Sequence, residues 1–250
     1  MTRLLHVATH NIHKGFSHFN WRMSLHELRG KLRGLGVDIV FLQEVQGRHE
    51  SHSWRYRDWP DAPQYEFLAD AVWQDYAYGR NAVYDDGHHG NAVLSRFPIL
   101  RWDNVDISAH HMENRGLLHC EVEVPGWDVP LHCVCVHLGL MARGRRLQLS
   151  LVRDHIERLV PAGAPLVVAG DFNDWRRDAA LILAAPLGLH EVFEHFGGHP
   201  ARSFPAMLPI FRLDRIYVRG FRVVRSHVHH GLRWSRLSDH AVLTSTLARA

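Results

Sequence analysis

The amino-acid sequence predicts an α/β protein in which mixed β-sheets and separate helices form a layered sandwich. The chain has 250 residues, of which 46% are hydrophobic and 22% are charged, as in globular proteins with a substantial core. Apolar segments with strand periodicity alternate with amphipathic helical segments. Because predicted strands cluster between residues 90 and 137, antiparallel pairing is favoured over a strictly alternating β-α-β order. No repeat or linker interrupts the sequence, so we expect a single domain over residues 1–250.

The first part of the chain contains two predicted helices and six predicted strands. Residues 4–12 and 38–45 are typical of buried strands, and residues 20–35 between them form a helix with Asn20 as the candidate N-cap. The apolar face of this helix consists of leucines at helical spacing, namely Leu25, Leu28, Leu32 and Leu35. A second helix is predicted near residues 66–75. The other strands are predicted near residues 90–96, 99–107, 117–124 and 129–137.

The second part of the chain contains one long amphipathic helix and three predicted strands. The helix covers about residues 144–160. The residues expected to face the core are Leu149, Val152, Ile156 and Leu159. The arginines expected on its other faces are Arg145, Arg146, Arg153 and Arg158. The strands are predicted at residues 165–170, 213–218 and 240–247.

The composition argues against several classes of protein. With histidines neutral, the net charge is +3, which is too small to indicate nucleic-acid binding by itself. No apolar segment approaches the ~20 residues needed to span a bilayer, and the sequence shows no secretory leader. We therefore expect a cytoplasmic monomer without stable membrane insertion. Cys133 and Cys135 lie in an apolar strand and Cys120 makes the total odd, which suits buried thiols better than disulfides.

Histidine is frequent, with 22 residues. Because the unperturbed pKa of histidine is about 6.5, half-protonation near that pH would add about 11 charges. Adjacent pairs occur, such as His88-His89, His110-His111 and His229-His230, but none has the spacing of a structural zinc site. We interpret them as surface or loop residues and not as ligands of a transition metal.

Polar side chains stand where the predicted strands end. Glu44 follows one apolar strand, His137 ends another, and the pairs Asp171/Asn173 and His10/Asn11 end two more. Two later strands show the reverse order. Asp214 precedes one of them, and the pair Asp239/His240 precedes the other. If the late strands run antiparallel to the early ones, all these polar groups meet at one edge of the sheets, as in an active site.

Four carboxylates at this edge require a compensating positive charge. Glu44, Asp171, Asp214 and Asp239 repel one another at close range, and a hard cation relieves the repulsion. Carboxylates with an amide such as that of Asn11, and no thiolate, favour Mg²⁺ or Mn²⁺ over zinc. Such a site, with histidines and amides beside it, is suited to displacement at phosphorus by water.

The sequence resembles the endonuclease/exonuclease/phosphatase superfamily, which has a deoxyribonuclease-I-like fold. The matching motifs occur in the family's order over nearly the whole chain: T-H-N-I at 9–12, L-Q-E-V at 42–45, G-N-A-V-L-S-R at 90–96, R-G at 115–116, V-H-L at 136–138, G-D-F-N at 170–173, L-D-R-I at 213–216 and S-D-H at 238–240. The stretches HNIHKG and GHHGNAVLSR are similar to an uncharacterised bacterial branch. The resemblance implies a four-layer sandwich of two mixed β-sheets flanked by helices, and Mg²⁺-dependent cleavage of phosphoester bonds.

The resemblance also implies roles for the metal-binding and water-activating residues. Glu44 matches the principal metal ligand, with Asn11 and Asp239 assisting directly or through water. Asp171 matches the group that orients or deprotonates the attacking water, and Asn173 matches a residue that holds the phosphate.

Further roles concern the transition state and the phosphate oxygens. His240, paired with Asp214, matches a histidine that stabilises the charged transition state or acts as a base. His137 matches a candidate general acid for the leaving oxygen, although the sequence shows no acidic partner for it. Arg115 and Asn91 match residues that contact phosphate oxygens.

The sequence leaves the substrate open. We expect a phosphodiesterase with DNA or RNA slightly favoured; a sphingomyelinase-like phospholipid phosphodiesterase, a phosphomonoesterase and a non-catalytic metal- or phosphate-binding module are the alternatives. The chain shows no long apolar hairpin for membrane docking, which disfavours the phospholipid. Arg143, Arg145 and Arg146 form either a phosphate-binding patch or a solvated helix face. Three tryptophans are either stacking platforms or packing anchors: Trp54, Trp59 and Trp175.

Overall fold

The computed structural model describes residues 4–17, 22–49, 56, 58–70 and 72–250, and the strands among them form two six-stranded sheets. The strands of the first sheet are Leu4–Asn11 (β1), Ile39–His49 (β2), Asp75–Tyr84 (β3), Gly87–Ser95 (β4), Phe221–His229 (β11) and Val242–Arg249 (β12). Their spatial order is β11-β12-β1-β2-β4-β3.

The second sheet is built from the middle of the chain. Its strands are Ile99–Asp106 (β5), Gly116–Val122 (β6), Leu131–His137 (β7), Leu166–Asp171 (β8), His190–Glu191 (β9) and Asp214–Arg219 (β10). Their spatial order is β5-β6-β7-β8-β10-β9.

Each sheet contains one parallel pair, and this determines where the polar strand ends meet. β1 runs parallel to β2, and β7 runs parallel to β8. β12 is antiparallel to β1, and β10 is antiparallel to β8 with Asp214 directly opposite Asp171. The late strands therefore begin at the edge where the early strands end, which confirms the strand directions expected from the sequence.

Short helices and one long helix cover the sheets. The α-helices are Leu25–Gly34 (α1), Gln64–Ala69 (α2), Ala142–Leu159 (α3), Ala185–Leu187 (α4), Glu194–Gly197 (α5) and Leu232–Ser235 (α6). A π-helical turn at Ala180–Ala184 leads into α4, and a 3₁₀ turn at His13–Gly15 follows β1. No helix among the described residues is long and apolar enough to cross a membrane.

Three apolar clusters separate the layers. Residues such as Phe41 and Cys133 fill the space between the two sheets. Leu28 and Leu68 pack α1 and α2 on the outer face of the first sheet, and Val152 packs α3 on the outer face of the second. The order helix, sheet, sheet, helix confirms the four-layer α/β sandwich. All three cysteines are buried and free, as expected.

Two predicted helices have different bounds in the structure. The helix predicted at 20–35 begins at Leu25, and the hydroxyl of Ser24 before it donates to the carbonyl of Leu237 at 2.7 Å instead of capping the helix. Asn20, the predicted N-cap, lies outside the described residues. The helix predicted near 66–75 ends at Ala69, because Asp70 has a φ of +35° and breaks the helical conformation.

The sequence did not predict β3 or β11. They are the two edge strands of the first sheet. Edge strands carry charged and polar side chains because one side of the strand faces solvent, and this weakens the alternating pattern of apolar residues. Arg80 and Asn81 in β3, and Arg222 and Arg225 in β11, have this effect.

The long helix α3 faces the core partly as predicted. Leu149, Val152 and Ile156 are buried, but Leu159 is 42% exposed, contrary to expectation. Arg145, which we expected on a solvated face, is fully buried. Its Nη1 donates to the carbonyls of Gly139 and Leu140, and its Nε lies 3.8 Å from a carboxylate oxygen of Asp174. Arg145 therefore belongs to the interior and not to a phosphate-binding patch.

Candidate active site

A cavity of about 450 Å³ opens at the edge where β1, β7 and β8 end, beside the register shift within β2. The polar residues that line it are Asn11, Glu44, Arg115, His137, Asp171, Asn173 and His240. All seven are among the residues predicted from the sequence. The apolar residues that line it are Leu140, Trp175, Phe204, Phe211 and Leu213.

Asp171 lies at the centre of the polar half of the cavity. The side-chain amide of Asn11 donates to Asp171 Oδ2 at 3.1 Å, and the backbone N–H of Asn173 donates to Asp171 Oδ1 at 3.0 Å. The same oxygen Oδ2 lies 3.6 Å from His137 Nε2 and 3.8 Å from His240 Nε2. Burial raises the pKa of Asp171 to about 6, against the opposing charge of His240.

Backbone strain positions two of the predicted residues. Glu44 has a φ of +55° at the point where the register of β2 shifts between Leu42 and Val45, and Asn173 has a φ of +47°. Asparagine tolerates this left-handed conformation, whereas glutamate rarely adopts it. Such strain is concentrated at functional sites. The bulge turns Glu44 toward the cavity, where Asn11 Nδ2 donates to its carboxylate at 3.4 Å.

His240 is held by a buried aspartate, as the sequence predicted. His240 Nδ1 lies 2.9 Å from Asp214 Oδ2, and Asp214 is fully buried. Burial alone would lower the pKa of His240, but the charges of Asp214 and Asp171 raise it to about 10. His240 is therefore a cation at neutral pH, which favours stabilisation of negative charge over the role of a base.

His137 has the acidic neighbour that the sequence did not reveal. Its Nε2 faces Asp171 at 3.6 Å. Burial, together with the positive charge of Arg115, lowers the pKa of His137 well below its usual value. The two histidines of the cavity thus differ in charge, because Asp214 is hydrogen-bonded to His240, whereas burial and Arg115 disfavour the charged form of His137.

Asp239 and Asn91 do not line the cavity. Asp239 lies 3.3 Å from Nδ1 of His13, a residue that the sequence analysis did not select. Burial would raise the pKa of Asp239, but His13 and His240 lower it to about 2. Asn91 is buried, and its amide donates to the carbonyls of Gly116 and Cys135, so it links β4 to the second sheet. Any contact of Asn91 with substrate remains a prediction.

The apolar half of the cavity includes a hairpin that the sequence did not reveal. Phe204 and Phe211 pair across a six-residue loop, and the backbone N–H of Phe211 donates to the carbonyl of Phe204 at 2.8 Å. The ring of Phe204 lies 5.0 Å from the ring of His240. The exposed apolar side chains of this hairpin are Met207, Leu208, Ile210 and Phe211. The sequence analysis expected no long apolar hairpin for membrane docking, and it did not predict this short one at residues 204–211.

The predicted tryptophans have different surroundings. Trp175 is 50% exposed at the cavity, and the guanidinium of Arg145 lies 5.0 Å from its ring. Trp59 instead stacks on Phe16 at 5.9 Å and serves as a packing residue. Trp54 lies outside the described residues.

The donor atoms at the cavity fit a hard divalent cation only in part. The carboxylate of Glu44 faces the cavity and has no ion pair among the described residues. Asn11, however, directs its NH₂ group to Glu44 and Asp171, while its Oδ1 accepts the N–H of His13 at 3.1 Å. A side-chain amide turned by 180° would present its oxygen to an ion beside Glu44. Carboxylate and amide oxygens are the ligands that Mg²⁺ and Mn²⁺ prefer.

The chain is similar to known proteins in sequence and in fold. The model of the endonuclease/exonuclease/phosphatase family matches residues 8–240. The chain belongs to the endonuclease/exonuclease/phosphatase family. Uncharacterized protein YbhP from Escherichia coli strain K12 is 48% identical over 241 residues, which are 96% of this chain and 95% of that protein.

Solved structures of the endonuclease/exonuclease/phosphatase family have the same fold. A member from Beutenbergia cavernae has a TM-score of 0.80 and 24% identity, and the match covers 99% of this chain and 72% of that one. The TDP2 protein of D. rerio, complexed with a single-strand DNA product, has a TM-score of 0.72 and 22% identity, and the match covers 98% of both chains.

Proposed function

We propose that this protein is a metal-dependent phosphodiesterase, with nucleic acid as its first candidate substrate. The observation that carries the proposal is the position of Asp171. This carboxylate is buried, lines a solvent cavity, and lies between the amide of Asn11 and the imidazoles of His137 and His240. A carboxylate held in this way can accept a proton from a water molecule in the cavity.

Asp171 and the residues around it have different roles in the proposed hydrolysis. With a pKa of about 6, Asp171 is mostly ionised at neutral pH and accepts the proton of the attacking water. The cationic His240 and Arg115 stabilise the negative charge that develops on the phosphoryl oxygens. Asn173 uses one amide hydrogen on the carbonyl of Leu138, and the other is available to a phosphate oxygen. A Mg²⁺ or Mn²⁺ ion held by Glu44, with Asn11 assisting directly and Asp239, which does not line the cavity, assisting through water, would polarise the phosphoryl group.

His137 is the candidate donor to the leaving oxygen. Its ring is uncharged near neutral pH, so it donates a hydrogen bond through one N–H and is not a preformed cation. The neutral ring stabilises the negative charge on the leaving oxygen through this hydrogen bond, and the leaving oxygen takes its proton from solvent water.

A specific observation favours a second substrate class. The hairpin 204–211 exposes four apolar side chains beside the cavity. An amphiphilic phosphodiester, such as a phospholipid, would place its phosphate at Asp171 and its apolar part against the hairpin. Nucleic acid would instead stack its bases on Trp175 or Phe211. We rank nucleic acid first because aromatic rings and Arg115 lie together at the cavity, as they do in proteins that bind single strands.

A non-catalytic phosphate-binding module is the remaining alternative. Such a module has no need of a buried carboxylate hydrogen-bonded to the histidine that faces the substrate. The contact of Asp214 with His240 at 2.9 Å therefore favours the enzyme.

The test measures hydrolysis of plasmid DNA, abasic DNA, RNA, sphingomyelin vesicles, glycerophospholipids and phosphomonoesters with Mg²⁺ or Mn²⁺. We expect hydrolysis to disappear in EDTA and to return with either ion, and Glu44→Gln to weaken binding of the ion. Asp171→Asn should lower kcat by about 10²–10⁴-fold, because an amide cannot accept the proton of water. The control is Asp154→Asn, a change on the exposed face of α3.

Two results would contradict the proposal. Full activity in EDTA would exclude a requirement for a metal ion. An Asp171→Asn variant that retains more than about a tenth of the wild-type kcat would exclude Asp171 as the acceptor of the proton from water. Turnover of a phospholipid without cleavage of DNA or RNA would reverse the order of the two substrate classes.

A further inference from the structure

Three histidines and a glutamate lie together on the outer face of the second sheet. His119 and Glu121 are two residues apart on β6, so their side chains point to the same face. His132 lies directly opposite Glu121 on β7, and His155 of α3 contacts His119. We call these four residues the histidine cluster. The Cys120 thiol points to the opposite face, into the core between the sheets.

The ring nitrogens of the histidine cluster face one another. His119 Nε2 lies 3.0 Å from His132 Nδ1, and His119 Nδ1 lies 3.1 Å from His155 Nε2. His132 Nδ1 lies 3.9 Å from Glu121 Oε1. The ligand atoms of His119, Glu121 and His132 are all within 4.8 Å of one another. Two nitrogens 3.0 Å apart can both bind one ion at about 2.1 Å, the usual length of a bond between zinc and histidine.

The three histidines carry lone pairs near neutral pH. Burial lowers the pKa of each ring, and His132 and His155 lower that of His119 further, to about 4. A neutral imidazole presents one in-plane lone pair, which is the form that binds a metal. His155 Nδ1 is buried and has no hydrogen-bond partner in the part of the chain that the structure describes.

The surroundings leave room for an ion and for water. A cavity of about 180 Å³ beside the cluster is lined by both His119 and Glu121. Asp103 of β5 lies opposite His119 in the sheet and adds a second carboxylate to this cavity. In this structure Arg101 Nη2 forms an ion pair with Glu121 Oε1 at 2.6 Å. Because Arg101 is exposed, exchange of this ion pair for a metal ion costs little.

We propose that His119, His132 and Glu121 form a binding site for a late first-row divalent ion, of which Zn²⁺ is the probe we choose. Two imidazoles and a carboxylate favour such ions over Mg²⁺. His155 Nε2 can accept a hydrogen bond from the Nδ1–H of His119, and this is the tautomer in which Nε2 carries the lone pair. His132 would bind the same ion through Nδ1 in the tautomer that has its proton on Nε2.

This site is separate from the candidate active site. His132 and His137 lie near opposite ends of β7, five residues and about 16 Å apart along the strand. The ion would connect β6 to β7 and, through His155, to α3. Its effect is therefore on the stability of the outer layer and not on hydrolysis, and the inference does not depend on the proposed function.

The test titrates Zn²⁺ into metal-free, full-length protein by calorimetry, with bound zinc counted by elemental analysis. We expect His132→Gln and Glu121→Gln each to lose one zinc equivalent. His230→Gln, a change of an exposed histidine, and His240→Ala, a change in the cavity, should both retain that equivalent. Zinc at 100 times its Kd should raise the Tm of the wild type by about 5–10 °C, and this rise should vanish in the first two variants.

Several outcomes would overturn the inference. They are the absence of zinc binding, zinc binding that persists in both Glu121→Gln and His132→Gln, and loss of the equivalent in His240→Ala alone. Glu121 is partly exposed, so Glu121→Gln keeps the test valid if His132→Gln does not fold. Hydrolysis by Glu121→Gln in Mg²⁺ should equal that of the wild type.

Discussion

The charge on His240 depends on two carboxylates that lie on different sides of its ring. Asp214 is hydrogen-bonded to Nδ1, and Asp171 lies 3.8 Å from Nε2. Their charges outweigh the effect of burial, which by itself would remove the proton. Asp171 is affected in the opposite sense, because burial raises its pKa while the charge of His240 lowers it. The two groups therefore titrate as a pair.

This arrangement predicts a bell-shaped pH profile. Asp171 must be ionised, so kcat/KM should rise as the pH increases through about 6. His240 must be protonated, so kcat/KM should fall as the pH increases through about 10. The measurement is kcat/KM from pH 4 to 11 at a saturating concentration of Mn²⁺ or Mg²⁺.

The variant Asp214→Asn tests the cause of the alkaline limb. Loss of the aspartate charge should move this limb to lower pH by more than one unit, while the acid limb moves much less. Asp239 precedes His240 in the sequence and also raises the pKa of His240, and the pKa of Asp239, about 2, keeps it ionised throughout this range. An alkaline limb that stays in place in Asp214→Asn would contradict the assignment to His240.

Two adjacent arginines of helix α3 differ in burial. Arg145 is fully buried against Asp174, whereas the Arg146 guanidinium is exposed and bonds Asp178 at 3.1 Å. Removal of one partner from a buried ion pair leaves an uncompensated charge and costs about 3–5 kcal/mol, whereas an exposed pair contributes about 0–1 kcal/mol. The helical pattern could not reveal this difference, because the carbonyls and the carboxylate that cover Arg145 come from loops outside the helix.

We therefore expect Arg145→Met to lower the free energy of unfolding by about 3 kcal/mol, and Arg146→Met to change it by less than about 1 kcal/mol. Urea unfolding followed by circular dichroism measures both. Equal effects of the two substitutions would contradict the burial of Arg145. The same two variants show whether these arginines stabilise the fold or bind phosphate. The sequence of the arginine-rich segment did not distinguish these roles.

Close approach of β7 and β8 requires glycine at position 170. Gly170 has a φ of +148°, and a Cβ at this position would lie 1.9 Å from the carbonyl oxygen of Val136. The adjacent residues on the two strands, His137 and Asp171, are paired in register. A side chain at position 170 would therefore push apart the strands that carry these two groups.

Gly170→Ala should lower the Tm and reduce kcat, since both the sheet and the site are disturbed. Gly30→Ala is the matched control, because a Cβ at this exposed position of α1 meets no atom within 4 Å. The control should be neutral or should stabilise by about 0.5–1 kcal/mol, as expected for Gly→Ala in a helix. Wild-type kcat in Gly170→Ala would contradict the close packing of β7 and β8.

The sequence predicted the polar side of the cavity because strand direction and polar strand ends are local patterns. Asn11, Glu44, His137 and Asp171 each follow an apolar segment, and one assumption about strand direction brings them together. The contact of His13 with Asp239 joins residues 226 positions apart, and no local pattern indicates it. The hairpin 204–211 contains two prolines and no charged residue, so its exposure depends on the tertiary fold. Sequence patterns therefore predicted which polar residues meet at the cavity, but not the apolar hairpin beside them.

In the folded molecule, a polar surface and an apolar surface meet at the cavity. Arg115 lies on the polar side of the cavity, and the exposed Leu208 and Ile210 lie on the hairpin beside it. A net charge of +3 limits a nucleic acid to few phosphate contacts. For about three contacts, the slope of log K against log salt concentration is about −2.7 for duplex DNA. Binding to amphiphiles in a vesicle would depend on apolar contact and only weakly on salt concentration.

The double substitution Leu208→Ser and Ile210→Ser distinguishes these two modes of binding. Loss of these two apolar side chains, which would become buried against the vesicle, should reduce kcat/KM on phospholipid vesicles by about 30-fold or more, because each contributes about 1–2 kcal/mol at an apolar surface. Cleavage of DNA or RNA should change little and should keep its salt dependence. Leu181→Ser, at an exposed position that does not line the cavity, is the control. If both substrates lost activity equally, the hairpin would position His240 through Phe204 and would not bind the substrate itself.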